Sequence, residues 1–254
     1  MTYTAVVLAG SRPGRDAFAE RHGAAYKALI PVSGEPMVSR PVRALLDSDR
    51  IGSVMVLTQA PDAIQAALPD DERVKVRASS ATIASTMLDL CWDPSTQWPL
   101  LVTTADHALL DTATVDEFCD GAEGRDLAVG LVEQSSLLRR LPGTRRTWLK
   151  FRGGAYTGAN LFVLRSPRVA PVIEYWRSVE QDRKKGWRIV SMLGLPTLLG
   201  VALRLLTVDQ ALGRLGRRFN LKVGSVRLSN PLAGVDVDKP DDHALAEAII
   251  EGRA

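Results

Sequence analysis

The sequence predicts an α/β protein built around a mostly parallel sheet, and three observations support this class. Short apolar runs typical of buried strands recur along the chain, and patterns typical of helices lie between them. The first apolar run ends at Gly10, as a parallel strand does when it turns into a loop. The 254 residues are 46% hydrophobic and 24% charged, which is the composition of a folded protein with a large core.

The predicted elements follow one another without an internal repeat or a low-complexity tract. The first strand covers residues 5–9, because an unbroken apolar run precedes Gly10 there. Further strands are predicted from apolar runs at residues 54–58, 73–76, 100–103, 127–132, 148–151 and 160–164. Helices are predicted at residues 38–46, 63–68, 84–90 and 241–250. We therefore expect a single domain over residues 1–254.

Charge and cysteine content limit the possible functions. The net charge of +3 is too small to predict binding of nucleic acid. Two cysteines are too few for a disulfide framework, and no basic and apolar leader suggests a signal peptide, so we expect a cytoplasmic protein. Residues 177–222 contain ten basic and three acidic side chains, which predicts a local partner that is acidic or carries phosphate.

The loop after the first strand has features that suit phosphate binding. Gly10 and Gly14 allow the backbone to approach a ligand closely, and Arg12, Arg15 and Lys27 add positive charge around the loop. The alternative is a plain strand-to-loop turn with solvated arginines. Neither the dinucleotide fingerprint G-x-G-x-x-G nor the P-loop ending G-K-[ST] is present.

Carboxylates occur at two further places that should lie at the same edge of the sheet. Asp106 follows the strand predicted at residues 100–103, and Asp236 and Asp238 precede the last helix. Ligands of open parallel sheets bind outside the carboxyl ends of the strands. Carboxylate oxygens there are suitable ligands for Mg²⁺, although each aspartate has an alternative role in capping a turn or binding loop amides.

Several stretches in series carry a resemblance to a known family. They are the strand ending "LAG", the basic loop ending "GR", the segment "KALIPVSGEPM", a middle strand ending in aspartate, "TGAN" at residues 157–160, and "DVDKPDDHALAE". Together they resemble the nucleotidyltransferases of the MobA-like and sugar-phosphate pyrophosphorylase type, over residues 4–166 and again 232–250. The resemblance implies a three-layer α/β/α, Rossmann-like and GT-A-like fold with a mostly parallel central sheet. Residues 176–230 then form a helical insertion.

The resemblance also implies an activity. A nucleoside monophosphate would pass from an NTP to a phosphorylated sugar, polyol or aminoalcohol, with Mg²⁺ as cofactor and release of pyrophosphate; CTP is slightly preferred over GTP or UTP. By the same resemblance Arg15, Lys27 and Asp106 are catalytic, and Asp106 and Asp238 hold the metal, with Asp236 as the second choice. The implied nucleotide-binding residues are Leu8, Ala9, Gly10, Ser11, Arg12, Gly14, Ser80, Ala81 and Ser85. The implied acceptor-binding residues are Thr157, Gly158 and Asn160.

The first loop departs from the family pattern. Relatives usually carry a second glycine in place of Ser11, Gly-Thr-Arg where residues 13–15 read Pro-Gly-Arg, and a proline in place of Tyr26. A nucleotide-binding module without catalytic activity is therefore one alternative. A glycosyltransferase that uses a nucleotide sugar is the other, although its D-x-D motif normally ends the middle strand, and here the D-x-D lies near the C-terminus.

The predicted insertion contains a possible amphipathic helix. Apolar residues recur there at spacings of four and three, at Val201, Leu205, Val208, Leu212, Leu215 and Phe219. Residues 189–203 carry no charge, but they are too few and too interrupted by glycine and proline to span a bilayer. We expect a lid or a dimer face packed on the sheet. The alternative is peripheral contact of residues 183–222 with anionic lipid at the inner face of a membrane.

Overall fold

The computed structural model describes residues 2–11, 14, 16–181 and 194–254. The strands are β1 (Tyr3–Leu8), β2 (Pro31–Val32), β3 (Glu35–Pro36), β4 (Ile51–Thr58), β5 (Val74–Ala78), β6 (Leu100–Thr104), β7 (Leu127–Glu133), β8 (Leu149–Phe151), β9 (Gly154–Leu164) and β10 (Val223–Arg227). The helices are α1 (Ala17–Arg21), α2 (Ser39–Leu46), α3 (Pro61–Gln65), α4 (Ile83–Trp92), α5 (Thr112–Gly121), α6 (Gln134–Arg140), α7 (Ala170–Gln181), α8 (Leu195–Ala202), α9 (Val208–Phe219) and α10 (Pro240–Ile250).

A mixed sheet forms the centre of the molecule. Across the described residues its strands follow the order β10-β7-β9-β6-β1-β4-β5, with β8 paired to β9. β1, β4, β5 and β6 are mutually parallel, and β10 is parallel to β7. β2 and β3 form a separate antiparallel hairpin. Every strand expected from the sequence is present, whereas β2, β3, β10 and helices α1, α5, α6 and α7 were not predicted.

β1 shows why the first apolar run is continuous. Ala5 and Val7 face one hydrophobic core, which includes Phe118 of α5, while Val6 faces a second core, which includes Leu88 of α4. Both faces of the strand are thus covered by helices, and full burial of each valine contributes about 1.5–3 kcal/mol. Helices on both faces of a mostly parallel sheet confirm the predicted fold class.

β9 is the antiparallel exception within the sheet, and it contains a distortion. It lies between β6 and β7 and is antiparallel to both. Its pairing with β7 shifts between Val129 and Leu131, and in the corresponding part of β9 Asn160 has a left-handed φ of 48°. Such bulges redirect side chains, and here the Asn160 side chain donates a hydrogen bond to Asp236 at 3.4 Å.

The prediction of one continuous helix through residues 201–219 is wrong. α8 ends at Ala202, Arg204 has a left-handed φ of 54°, and α9 begins at Val208. The break has a local cause, since the Thr207 hydroxyl accepts a hydrogen bond from the Gln210 amide, and the Gln210 side chain accepts one from the Thr207 amide. This capping box fixes the start of a new helix.

The predicted apolar stripe is accordingly divided. Val208 and Leu215 of α9 are buried, and Leu212 and Phe219 pack against the core, but Leu205 in the break is 59% exposed. Of the basic cluster, the part within residues 182–193 lies outside the described residues. Among the helices that the structure describes, none is both long and apolar enough to cross a bilayer. Insertion boundaries of 176–230 and contact with lipid stay predictions.

Candidate active site

A cavity of about 850 Å³ opens at the carboxyl ends of the parallel strands β1, β4 and β6. Its wall is made by the end of β1 and the following loop, the start of α1, the loop between β5 and α4, and the end of β6. Of the residues predicted for the site, it is lined by Leu8, Ala9, Gly10, Ser11, Lys27, Ser80, Ala81, Asp106 and Asp238. Segments far apart in sequence meet here because parallel strands present their carboxyl ends at one edge.

Other predicted residues lie elsewhere. Ser85 does not line the cavity, and its amide and hydroxyl bind the Thr82 hydroxyl, which caps α4. Gly14 is exposed with a φ of 108°, a conformation that favours glycine. Arg12 and Arg15 lie outside the described residues. Their predicted contacts with triphosphate stay predictions.

Lys27 joins the two carboxylates that were predicted to hold a metal. Its ammonium nitrogen lies 2.8 Å from Oδ2 of Asp106 and 2.5 Å from Oδ1 of Asp238. Lys27 begins a short 3-10 helix, and Asp106 is the second residue after β6, where the Thr104 hydroxyl donates to its other oxygen at 2.5 Å. The three charged groups therefore form one cluster at the end of the cavity.

The charge of Lys27 is stabilised by this cluster. Burial lowers the pKa of the Lys27 ammonium, but the nearby carboxylates of Asp106 and Asp238 outweigh burial, so that the pKa is raised from its ordinary value. Lys27 is thus a permanent cation at neutral pH. Lys27 therefore contributes a positive charge beside the carboxylates of Asp106 and Asp238.

A second ionic cluster fixes the loop that carries Asp238. Arg146 contacts the Asp236 carboxylate through Nη1, and its Nη2 lies 3.0 Å from Oδ1 of Asp242. The amide of Asp238 donates to the other oxygen of Asp242 at 3.3 Å, and the amide of Val237 donates to the Asp106 carbonyl at 3.0 Å. These contacts hold Asp238 beside Asp106.

Arg146 was not anticipated from the sequence. It lies in the loop between α6 and β8, and only 10% of its side chain is exposed. Its contact with Asp236 distinguishes that aspartate from Asp238, which pairs with Lys27. Burial raises the pKa of the Asp236 carboxyl and the charge of Asp238 adds to the rise, while Arg146 opposes it.

The cavity wall after β4 holds a further polar residue, Gln59, which was not predicted from the sequence. The side-chain oxygen of Gln59, which follows β4, accepts a hydrogen bond from the Ser11 amide at 2.8 Å. A Cβ atom at Gly10 would come within 3.1 Å of the Gln59 carboxamide, so this approach favours glycine there. The sequence signal that could have identified Gln59 as a site residue was its position directly after a buried strand.

A family model decides the relationship of this chain to known proteins. The model of the MobA-like NTP transferase domain matches residues 5–194. The chain belongs to the MobA-like NTP transferase family. This confirms the resemblance inferred from the motifs. A comparison with curated protein sequences finds no match.

Solved structures agree with this family assignment. A hypothetical transferase from Thermus thermophilus is 27% identical, with a TM-score of 0.80, and the match covers 96% of this chain and 100% of that one. The 4-diphosphocytidyl-2C-methyl-D-erythritol synthase from Anaerococcus prevotii is 9% identical, with a TM-score of 0.62 and 98% of each chain covered. CMP:2-keto-3-deoxy-manno-octonic acid synthetase, solved in complex with CTP, is 13% identical, with a TM-score of 0.61 and 100% of each chain covered. The last two share the fold.

The predicted acceptor residues of this MobA-like NTP transferase lie on β9 beyond the cavity wall. Asn160 contacts Asp236, whereas Thr157 is 8% exposed and packs against the backbone of Gly234. At Gly158 a Cβ atom would meet no atom within 4 Å, so the strand faces open space there. Gly158 and Asn160 are therefore better placed than Thr157 to face a ligand.

The carboxylates fit a divalent cation that arrives with phosphate. Asp106 and Asp238 already direct oxygens at one positive centre, the Lys27 ammonium. Among the described residues, no cluster of three or more histidine, cysteine, aspartate or glutamate side chains converges on a metal position. Mg²⁺ is commonly held by one or two carboxylates, with phosphate oxygens and water completing its coordination. Two aspartates therefore suit Mg²⁺ bound to a nucleotide.

Proposed function

We propose that this protein transfers a nucleoside monophosphate from an NTP to a phosphorylated small-molecule acceptor and releases pyrophosphate. The observation that carries the proposal is the cavity at the carboxyl ends of the parallel strands, which ends at Lys27, Asp106 and Asp238. A cavity of about 850 Å³ is large enough for a nucleotide. Membership of a family of NTP transferases supports the same reaction.

The reaction requires positioning and charge neutralisation. An oxygen of the acceptor phosphate attacks the α-phosphorus of the NTP, and the bond from that phosphorus to the oxygen bridging to the β-phosphate breaks. The electron pair leaves with pyrophosphate, so atoms and charge balance. The acceptor phosphate is already ionised and needs no general base. His107, which follows Asp106, is buried, and burial lowers its pKa to about 4, so it remains neutral.

The charged residues have distinct proposed roles. Lys27 binds the non-bridging phosphate oxygens and stabilises the negative charge that grows on them in the transition state. Asp106 and Asp238 would hold Mg²⁺, which when bound neutralises phosphate charge and orients the triphosphate. Arg15 is proposed to bind the triphosphate as well. Asn160, which contacts Asp236, and the exposed Gly158 would face the acceptor.

CTP and a sugar-type phosphate are the first substrates to test. One structural neighbour is a synthetase in complex with CTP, and others are named 2-C-methyl-D-erythritol 4-phosphate cytidylyltransferase. The cavity is lined by neutral polar residues that suit a base, including Gln59 and Ser79. These groups can serve several bases, so the preference for CTP rests on the neighbours.

The test measures pyrophosphate release with CTP, GTP, UTP and ATP against phosphorylated sugars, polyols and aminoalcohols in Mg²⁺. We expect release that needs both an NTP and an acceptor, and that is lost in Asp106→Asn. Thermal shifts with NTP but no pyrophosphate from any pair would indicate a binding module, because ligand binding alone stabilises the folded state. Release of a nucleoside diphosphate from a nucleotide sugar would instead indicate a glycosyltransferase.

A further inference from the structure

Lys27 occupies the position between two carboxylates at which a metal ion is expected to bind. Its nitrogen lies 2.8 Å from Asp106 and 2.5 Å from Asp238, and it is separated from them by 79 and 211 positions in the sequence. Its side chain is only 23% exposed, so the ammonium is partly withdrawn from water. In this arrangement the protein supplies its own cation to the pair.

The ammonium and a divalent cation cannot share the position. Mg²⁺ binds oxygen at about 2.0–2.1 Å and Ca²⁺ at about 2.3–2.6 Å, so a cation bound by both carboxylates would lie at least as close to their oxygens as the Lys27 nitrogen does, at 2.8 and 2.5 Å. A metal ion held by both carboxylates would therefore lie nearly where the nitrogen lies. Like charges repel strongly at such separations, so the lysine must move away before the metal binds.

A free cation offers Lys27 no new partner, whereas a nucleotide does. When a metal ion alone displaces the ammonium, two ion pairs of Lys27 are lost, and water must supply most of the coordination of Mg²⁺. A triphosphate compensates for both losses, because its oxygens complete the coordination of the metal and also accept hydrogen bonds from the Lys27 ammonium. The flexible four-carbon stem of lysine allows the head group to move between these partners.

We propose that Lys27 is a tethered competitor that excludes free divalent cations from the Asp106–Asp238 pair, so that the metal binds only together with the nucleotide. The second half of this inference, in which the Lys27 ammonium moves from the aspartates to phosphate, rests on the proposed function. The first half, exclusion of free cations, concerns this chain alone. Lys27 thereby makes the Asp106–Asp238 pair bind a metal ion together with a nucleotide rather than a free metal ion.

The test measures binding of Mg²⁺ and Ca²⁺ by isothermal titration calorimetry in the absence of nucleotide. We expect weak binding to the wild-type protein and binding at least about tenfold tighter to Lys27→Met, because removal of a unit charge at this distance is worth more than one decade. Lys27→Arg, which keeps the positive charge, should exclude the cations as the wild type does. Lys75→Met removes an exposed lysine of β5 and serves as the matched control, with unchanged binding.

A double variant tests whether the gain in cation affinity arises at the Asp106–Asp238 pair. Lys27→Met combined with Asp106→Asn should lose the gain in affinity, because one carboxylate of the pair no longer carries charge. If Lys27→Met binds free Mg²⁺ and Ca²⁺ no more tightly than the wild type, the inference is overturned. The same holds if the gain persists in the double variant.

Nucleotide binding by the wild-type protein separates this inference from the proposed function. Titration with CTP and Mg²⁺ together should show joint binding, with each ligand required for tight binding of the other. Wild-type pyrophosphate release without any gain in Lys27→Met would overturn the competitor role and leave the proposed function intact. A gain in Lys27→Met, without nucleotide binding by the wild type, would support cation exclusion and remove the proposed function.

Discussion

Replacing Arg146 with glutamine removes the cation that joins Asp236 to Asp242. The side chains of Arg146 and Asp242 are each 10% exposed and that of Asp236 is 28% exposed, so the carboxylates left behind cannot be fully hydrated. Removing one partner of a buried ion pair costs about 3–5 kcal/mol. The partial exposure of Asp236 favours the lower end, and a loss of about 3 kcal/mol corresponds to a melting temperature lower by about 6–12 °C.

The loss of stability in Arg146→Gln should become smaller as the pH falls. The pKa of Asp236 is raised by burial and by Asp238, and Arg146 opposes that rise. Without Arg146 the pKa rises further, so the folded state of the variant binds a proton more tightly than the unfolded state. Protonation then stabilises the folded variant as the pH falls. The stability difference between wild type and variant should be greatest near about pH 7 and smaller near about pH 4.5.

Chemical denaturation at both pH values measures this difference. Arg145→Gln is the matched control, since it removes the same charge from the adjacent, exposed position and should change the free energy of unfolding by less than about 0.5 kcal/mol. A variant at Arg146 that is as stable as the control at neutral pH would refute the structural role. A destabilisation that grows as the pH falls would refute the sign of the linkage.

Further predictions concern the reaction, the thiols and a close contact. Asp106→Asn and Asp238→Asn should each lower kcat for pyrophosphate release about a hundredfold or more, or about 3 kcal/mol; near-normal Mg²⁺-dependent rates would contradict the metal assignment. Burial raises the pKa of Cys91 to about 11 and of Cys119 to about 12, so both thiols should react with a disulfide reagent much more slowly in the folded than in the denatured protein. Rapid labelling under native conditions would contradict that burial. Gly234→Ala places a Cβ atom 2.9 Å from a side-chain carbon of β9 and should lower the free energy of unfolding by about 1–3 kcal/mol; an unchanged urea midpoint would exclude the clash.

The meeting of Asp106 and Asp238 with the loop after β1 could be predicted because it follows from a general rule. Lys27 lies 79 residues from Asp106 and 211 from Asp238, and local patterns carry no information on such distances. The alternation of strands and helices nevertheless predicted a parallel sheet, and a parallel sheet brings its carboxyl-end loops to one edge. The class of fold was therefore sufficient to place Asp106 and Asp238 at one edge, whereas the role of Lys27 came from the resemblance and its ion pairs with the two aspartates were not predicted.

Arg146 could not be predicted, because its neighbour is chemically identical. Arg145 and Arg146 lie side by side in a polar loop, and nothing in their local sequence distinguishes them. The difference arises only when α10 presents Asp242 and the preceding loop presents Asp236. Asn160 is similar, since its left-handed conformation depends on how β9 pairs with β7. Such long-range pairings lie beyond a reading of local patterns.

Within the part of the site that the structure describes, Lys27 and Arg146 each contact two aspartates but differ in how freely they can move. In these four ion pairs, Asp236 and Asp238 belong to the loop before α10. Asp106 and Asp242 each accept a hydrogen bond from a backbone amide of that loop. The planar guanidinium of Arg146 binds both partners at once through separate nitrogens, and it is largely buried and outside the wall of the cavity. The ammonium of Lys27 is a point charge on a flexible stem, is more exposed, and lies at the wall of the cavity. A fixed cation therefore holds the loop in place, so that the exchangeable cation can leave Asp106 and Asp238 without the two carboxylates moving apart.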